Sequence, residues 1–247
     1  MSDIAEQKGR NRGKSSEDDA LFSSEKQRSK IREALQDMYY LLSRGYPVKA
    51  TLALVGNRHR LRARQLLALQ GMACSAQEIE ERAGRELKPE AMRNKILFID
   101  GFNLLILLET LLSGGYIFGG LDGCYRDVSS VHGTYKKVNQ TEEVLLLAGN
   151  TLRDLGVQKA VWVFDAPVSN SGRLRALCQK TALDNGFVWE VLLDNAPDKY
   201  LTKQEGVVAS SDAWVLNHCK DWFNLGAHIV NGLYPDDVPE NVIRFEV

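Results

Sequence analysis

Along the front of the chain apolar residues recur every three or four positions; beyond Lys95 they gather into short unbroken runs. Ile31, Ala34, Leu35, Met38, Leu41 and Leu42 keep helical spacing, so a helix is expected from about Ser24 to Arg44, stopped by Gly45. "PVKATLALV" opens a second helix with Pro47 in its first turn and Gly56 at its end, and "NRHRLRARQLLALQ" reads as a third from near Asn57. Ser75 and Glu78 have capping-box spacing for a short fourth helix to about Ala83. Short helices with glycine-marked joints suggest a helix-turn-helix type of domain over residues 23–90. "GRELKPEAMRN" is then a connector, because Gly84 ends a helix and Pro89 interrupts regular structure. Residues 1–22 are polar and rich in both charges, which reads as a mobile tail.

The apolar runs of the back half are "KILFI", "KAVWVF", "GFVWEVLL", "GVVAS" and "AHIV". Between them the pattern predicts helices at about 103–113, 141–155, 171–185 and 212–223. Such alternation predicts an α/β domain over 95–247: a mainly parallel sheet with helices on both faces, in three layers. The stretch 118–137, "FGGLDGCYRDVSSVHGTYKK", fits neither period and is expected to be a loop-rich insert. It carries Asp122, Arg126, Asp127, His132, Tyr135, Lys136 and Lys137. His132 reads as either an acid–base group or a plain hydrogen-bonding residue, and the two lysines as either phosphate contacts or a solvated turn.

Composition changes this picture little: 44% hydrophobic and 26% charged is ordinary for a globular chain. No apolar run approaches the roughly 18 residues of a membrane span. The polar N-terminus lacks a signal-peptide core, and Cys74, Cys124, Cys178 and Cys219 lie far apart, so the expectation is a cytoplasmic protein with reduced thiols and no membrane partner. Charge adds more. Through residue 94 there are 18 Lys+Arg against 13 Asp+Glu, and after it 13 against 19. A basic front and an acidic back suit a nucleic-acid grip joined to a metal-holding centre, or a solvated helical surface. On the expected third helix Arg58 and Arg62 share one face and Arg60 and Arg64 another, a cluster suited to phosphate contact or to solubility.

Candidate chemistry lies at the strand ends. In open parallel sheets, ligands bind beyond the carboxyl ends of the strands. Asp100 ends the first run, Asp165 the second and Asp194 the third; Asp198 follows in the next loop and Asp212 comes just after "GVVASS". Converging carboxylates repel, and Mg²⁺ or Mn²⁺ would remove that cost. Asp194 reads as a turn residue, and Asp212 as either a metal ligand or a helix N-cap. After Asp165, "SNSGRL" offers Asn170, Ser171 and Arg173 either as a phosphate-gripping turn or, for the first two, as caps. Trp162, Trp189, Trp214 and Trp222 fall in strand or helix runs and read as core.

"FIDGFNLL" resembles the first strand of the PIN-like nucleases, especially the NYN branch, where Asp-Gly-Tyr/Phe-Asn opens the domain. "VWVFDAP", "DNAPDKYL" and "VVASSDAW" resemble later segments of that branch in the same order, over about residues 95–230. The helical front resembles proteins of the DUF434 type. What this resemblance implies is a Mg²⁺- or Mn²⁺-dependent ribonuclease, an endonuclease acting on RNA, with the helical front recruiting structured RNA. Asp100 would be the central metal ligand; Asp165, Asp198 and Asp212 would complete the acidic centre. Asn103 would position Asp100 or the substrate, and Glu142 or Glu143 would add a helix-borne acid. A homodimer is implied in the same way. The alternative is a nucleic-acid-binding or regulatory module that keeps the fold without turnover. A haloacid-dehalogenase-type phosphatase needs a second aspartate two residues after the first, where this chain has Phe102. "DGFNLL" lacks the glycine turn of a dinucleotide-binding enzyme.

Overall fold

The computed structural model describes residues 14–129, 135 and 138–245; His132, Lys136, Lys137 and residues 1–13 of the expected tail lie outside the described residues. Five helices come first: α1 Asp18–Phe22, α2 Glu25–Leu42, α3 Val48–Arg58, α4 Ala63–Met72 and α5 Ala76–Ala83. Ser24 caps α2, and Ser75 and Glu78 form the expected capping box on α5, with Ser75 N–H donating to Glu78 Oε2 at 2.9 Å.

Two expectations for the front half need correction. Residues 18–22 are helix rather than tail: Phe22 is fully buried against the rings of Tyr116 and Phe118. No helix begins at Asn57 either. α3 runs through Gly56 to Arg58, and the chain turns through Arg60 at φ 49° before α4. Gly56 is there for packing. A Cβ on it would sit 2.4 Å from Leu66 Cδ2 of α4, so a larger residue would require the Leu66 side chain to move.

The remaining elements are β1 Ile96–Asp100, α6 Gly101–Leu112, β2 Ile117–Gly119, β3 Tyr125–Asp127, α7 Thr141–Asp154, β4 Lys159–Asp165, α8 Ser171–Asn185, β5 Trp189–Asp194, α9 Pro197–Leu201, β6 Val207–Ala209, α10 Ala213–His218, β7 Asp221–Trp222, α11 Leu225–Leu233 and β8 Val242–Ile243. The main sheet is all parallel, in the order β5-β4-β1-β6-β7. Both its faces are apolar, as the unbroken runs require. Leu97, Ile99, Trp162 and Phe164 point into one core with α6, α7, α8 and α11; Phe98, Val161, Val163 and Val208 point into the other with α9 and α10. The expected three-layer α/β architecture is therefore present.

"AHIV" is not a strand. It lies inside α11, where the Asn224 side chain caps the helix by accepting from Ala227 N–H at 3.2 Å. A four-residue apolar run has no period of its own, so the cap decides. The helix expected over 212–223 stops at His218; Cys219 is extended, and Asp221–Trp222 forms the edge strand β7. The insert carries regular structure: β2 and β3 form a hairpin, and β8 from the far end of the chain pairs with β2. Tyr116, Phe118, Val128 and Ile243 of this small sheet and its flanks share one core with α1–α4.

Candidate active site in an acidic cleft

Counting main-sheet strands alone, the order is 3-2-1-4-5, so the switch point lies between β1 and β6. A cleft of about 510 Å³ opens there, and Asp100, Asp165, Asp198 and Asp212 all line it. Each arrives for a local reason. Asp100 ends β1 and caps α6, its Oδ1 accepting from Asn103 N–H at 3.4 Å. Asp165 ends β4. Asp198 stands in the first turn of α9, behind Pro197. Asp212 caps α10, accepting from Val215 N–H at 3.0 Å. For Asp212 the N-cap reading and the cleft position hold together, because one Oδ is enough to cap.

Two serines stiffen the centre. Ser210 Oγ donates to Asp100 Oδ2 at 2.8 Å and accepts from Asp212 N–H at 3.0 Å. The Ser211 hydroxyl donates to the side-chain oxygen of Asn103. Behind them Arg126 Nε donates to Ser211 O at 2.7 Å, while its other nitrogens reach Gly71 O of α4 at 2.9 Å and Asp122 at 2.7 and 2.9 Å. Asp122 also meets Arg82 of α5 at 2.5 Å. Arg126 thus ties the helical front and the insert to the loop that holds the cleft residues.

Electrostatics separate the cleft from its surroundings. Burial pushes the Asp100 carboxyl up to about 7; the charges of Asp198 and Asp212 act the same way, against the Ser210 hydroxyl and the Asn103 N–H. Asp165 and Asp198 are also raised, first by desolvation in the cleft, with Asp194 adding to the one and Asp212 and Asp165 to the other. Among the described residues none of the four pairs with a lysine or arginine. Also among the described residues, no three His, Cys, Asp or Glu side chains are grouped so as to hold a metal ion by themselves. The donor set is all oxygen, which fits a hard divalent cation. Such an ion would take one or two of these carboxylates and complete its shell with water and substrate oxygens, as Mg²⁺ does elsewhere.

Other expected site residues fall elsewhere. Asn103 lines the cleft. Asn170 and Ser171 are used to close a loop: exposed Asn170, at φ 72°, donates from Nδ2 to Tyr135 O at 2.8 Å, and buried Ser171 donates from Oγ to Ala166 O at 3.3 Å. Arg173 is exposed on α8 and does not line the cleft, nor do Glu142 and Glu143. Asp194 is the turn residue it resembled, accepting from Ala196 N–H at 2.7 Å. The four arginines share no helix face. Arg58 ends α3 beside Asp37, Arg60 and Arg62 lie in the turn, and Arg64 is held by the buried Asp18 at 2.5 Å. Ser210, Ser211 and the tying role of Arg126 are not among the residues expected from the sequence. The serine pair just before an aspartate cap was a usable signal; the partners of Arg126 lie too far along the chain to be read.

Two family models match consecutive stretches of the chain. The model described as "Protein of unknown function (DUF434)" matches residues 30–85, and "Domain of unknown function (DUF5616)" matches 89–228. Neither description names an activity. An uncharacterised protein of Methanocaldococcus jannaschii is 32% identical over 186 residues, covering 75% of this chain and 88% of its own length. No solved structure matches significantly. With more than half its length under one model and a relative aligned across most of both chains, the chain belongs to the DUF5616 family, here preceded by a DUF434 segment.

Proposed function

We propose that this protein is a divalent-metal-dependent ribonuclease that hydrolyses RNA phosphodiesters in the acidic cleft. One observation carries the reading: four aspartates from separate parts of the α/β domain line one cleft at the switch point, with no cationic side-chain partner among the described residues. The likeness of "FIDGFNLL" and the later segments to NYN-type PIN-like nucleases supports it. Mg²⁺ or Mn²⁺ held by Asp100 with Asp165 or Asp212 would supply charge balance, water activation and stabilisation of the in-line displacement. The protein's own part is positioning. Ser210 and the Asn103 N–H fix the Asp100 carboxylate, and the Ser211 hydroxyl fixes the Asn103 oxygen, which leaves the Asn103 NH₂ to serve as a donor for a phosphate oxygen. Desolvation strengthens every charge interaction in the cleft.

Labelled RNA incubated with Mn²⁺, then with EDTA, tests the reading. Cleavage that needs the metal and disappears in Asp100→Asn is expected. Equal cleavage by wild type and Asp100→Asn would remove the metal centre. Tight RNA binding without cleavage under any divalent ion would leave the non-catalytic module instead.

A further inference from the structure

The cleft is a poor electrostatic host for a nucleic-acid strand. Asp100, Asp127, Asp165, Asp198 and Asp212 line it, and its one cationic side chain among the described residues, Arg126, is committed to Asp122. Nor does the arginine group at 58–64 form a continuous grip, since Arg58 and Arg64 already face aspartates. Beyond the metal ion itself, a strand brought here would be helped by a contact that does not depend on charge.

Trp214 offers one. Trp162 and Trp222 are fully buried, whereas Trp214 is 43% exposed. It stands in the first turn of α10, two residues after Asp212, and Ala213 between them lines the cleft. Its ring stacks on His218 with centroids 4.4 Å apart and planes 25° from parallel. His218 Nδ1 in turn meets the Trp214 carbonyl oxygen at 2.7 Å. One indole face is thereby backed and the ring is held in place, so little side-chain entropy remains to be lost on stacking. Aromatic faces accept any base, but only one not covered by its neighbours in a duplex.

We propose that Trp214, backed by His218 and one residue along α10 from the cleft lining at Ala213, is a stacking platform for an unpaired nucleobase of an RNA strand that enters the acidic cleft. The proposal rests on the ribonuclease reading for what the cleft does, but the stacking is measurable without turnover. The test uses full-length Asp100→Asn protein in EDTA, titrated into a fluorescein-labelled unstructured pentaribonucleotide and a labelled blunt RNA duplex, with anisotropy giving the affinity and tryptophan fluorescence the stacking. The single strand is expected to quench and the duplex not to. Trp214→Ala should weaken single-strand affinity about 5- to 100-fold, and Trp214→Phe should recover part of it, with thermal melts unchanged for both. The affinity should fall only gently with salt, unlike a polybasic grip.

Equal affinity in Trp214→Ala, or equal affinity for duplex, overturns the platform. So does self-association in sedimentation that Trp214→Ala abolishes, which would assign this face to a second copy of the chain. The two readings fail separately. Quenching without any metal-dependent cleavage by wild type sinks the nuclease and keeps the platform; metal-dependent cleavage with Trp214→Ala affinity unchanged does the reverse.

Discussion

Asp122 and Asp100 are both buried carboxylates, and the fold treats them oppositely. Asp122 lies between Arg82 and Arg126; burial pushes its carboxyl up, yet the two guanidinium groups outweigh it and hold the group below the usual range. Asp100 receives a serine hydroxyl and a backbone N–H, with two more aspartates nearby, and its carboxyl rises to about 7. Both have lost water. In one case the compensating charge is built into the chain, and the product is a strut. In the other the charge is left unbalanced at a solvent-reached rim, which prepares the site for a proton or cation from outside.

The largest test of this contrast breaks the strut. Arg126→Ala leaves Asp122 with Arg82 alone and takes the donor from Ser211 O and Gly71 O, and should cost about 3 kcal/mol or more in urea unfolding. A cost under about 1 kcal/mol would erase the distinction. Asp100→Asn should do the reverse and stabilise the protein. The folded carboxyl titrates near 7 against 3.8 for an unperturbed one, so the folded state holds the proton more tightly. Wild-type stability therefore falls as pH rises from about 4 to about 7 and stays low above it. The variant should gain about 1–3 kcal/mol at pH 8 and almost nothing at pH 4. A stability gain independent of pH would mean that Asp100 is not the strained group. Smaller still, Mn²⁺ at ten times its dissociation constant should stabilise wild type by about 1.4 kcal/mol at pH 8, reversibly with EDTA and not in Asp100→Asn. The smallest effect belongs to Arg58→Ala. Its pair with Asp37 is exposed, so thermal unfolding should register less than about 1 kcal/mol.

What could be read beforehand was whatever is local. Unbroken apolar runs ending in aspartate foretold β1, β4 and β5, and Ser75 with Glu78 foretold the start of α5. "AHIV" misled because four apolar residues carry no period, although Asn224 and the spacing of Leu225, Ile229 and Leu233 already had the form of a capped helix. The arginine cluster misled for a related reason. Facing positions were assigned on a continuous helix, and the chain turns in the middle of it. Convergence of the aspartates could be expected from the rule for parallel sheets, but their lack of cationic partners could not, because pairing is decided across the fold. Trp214 looked like core by its neighbours; only its position on the outer side of a six-residue helix exposes it.

The small sheet has a consequence for how this chain comes apart. Phe22 of the front helices rests on Tyr116 and Phe118, and the final strand Val242–Ile243 is laid beside Ile117–Phe118. The boundary between the two family matches, at residues 85–89, is thus not a seam in folding. Severing the polypeptide there would bare apolar surface on both pieces, and calorimetry of the intact molecule should register one cooperative melt rather than two.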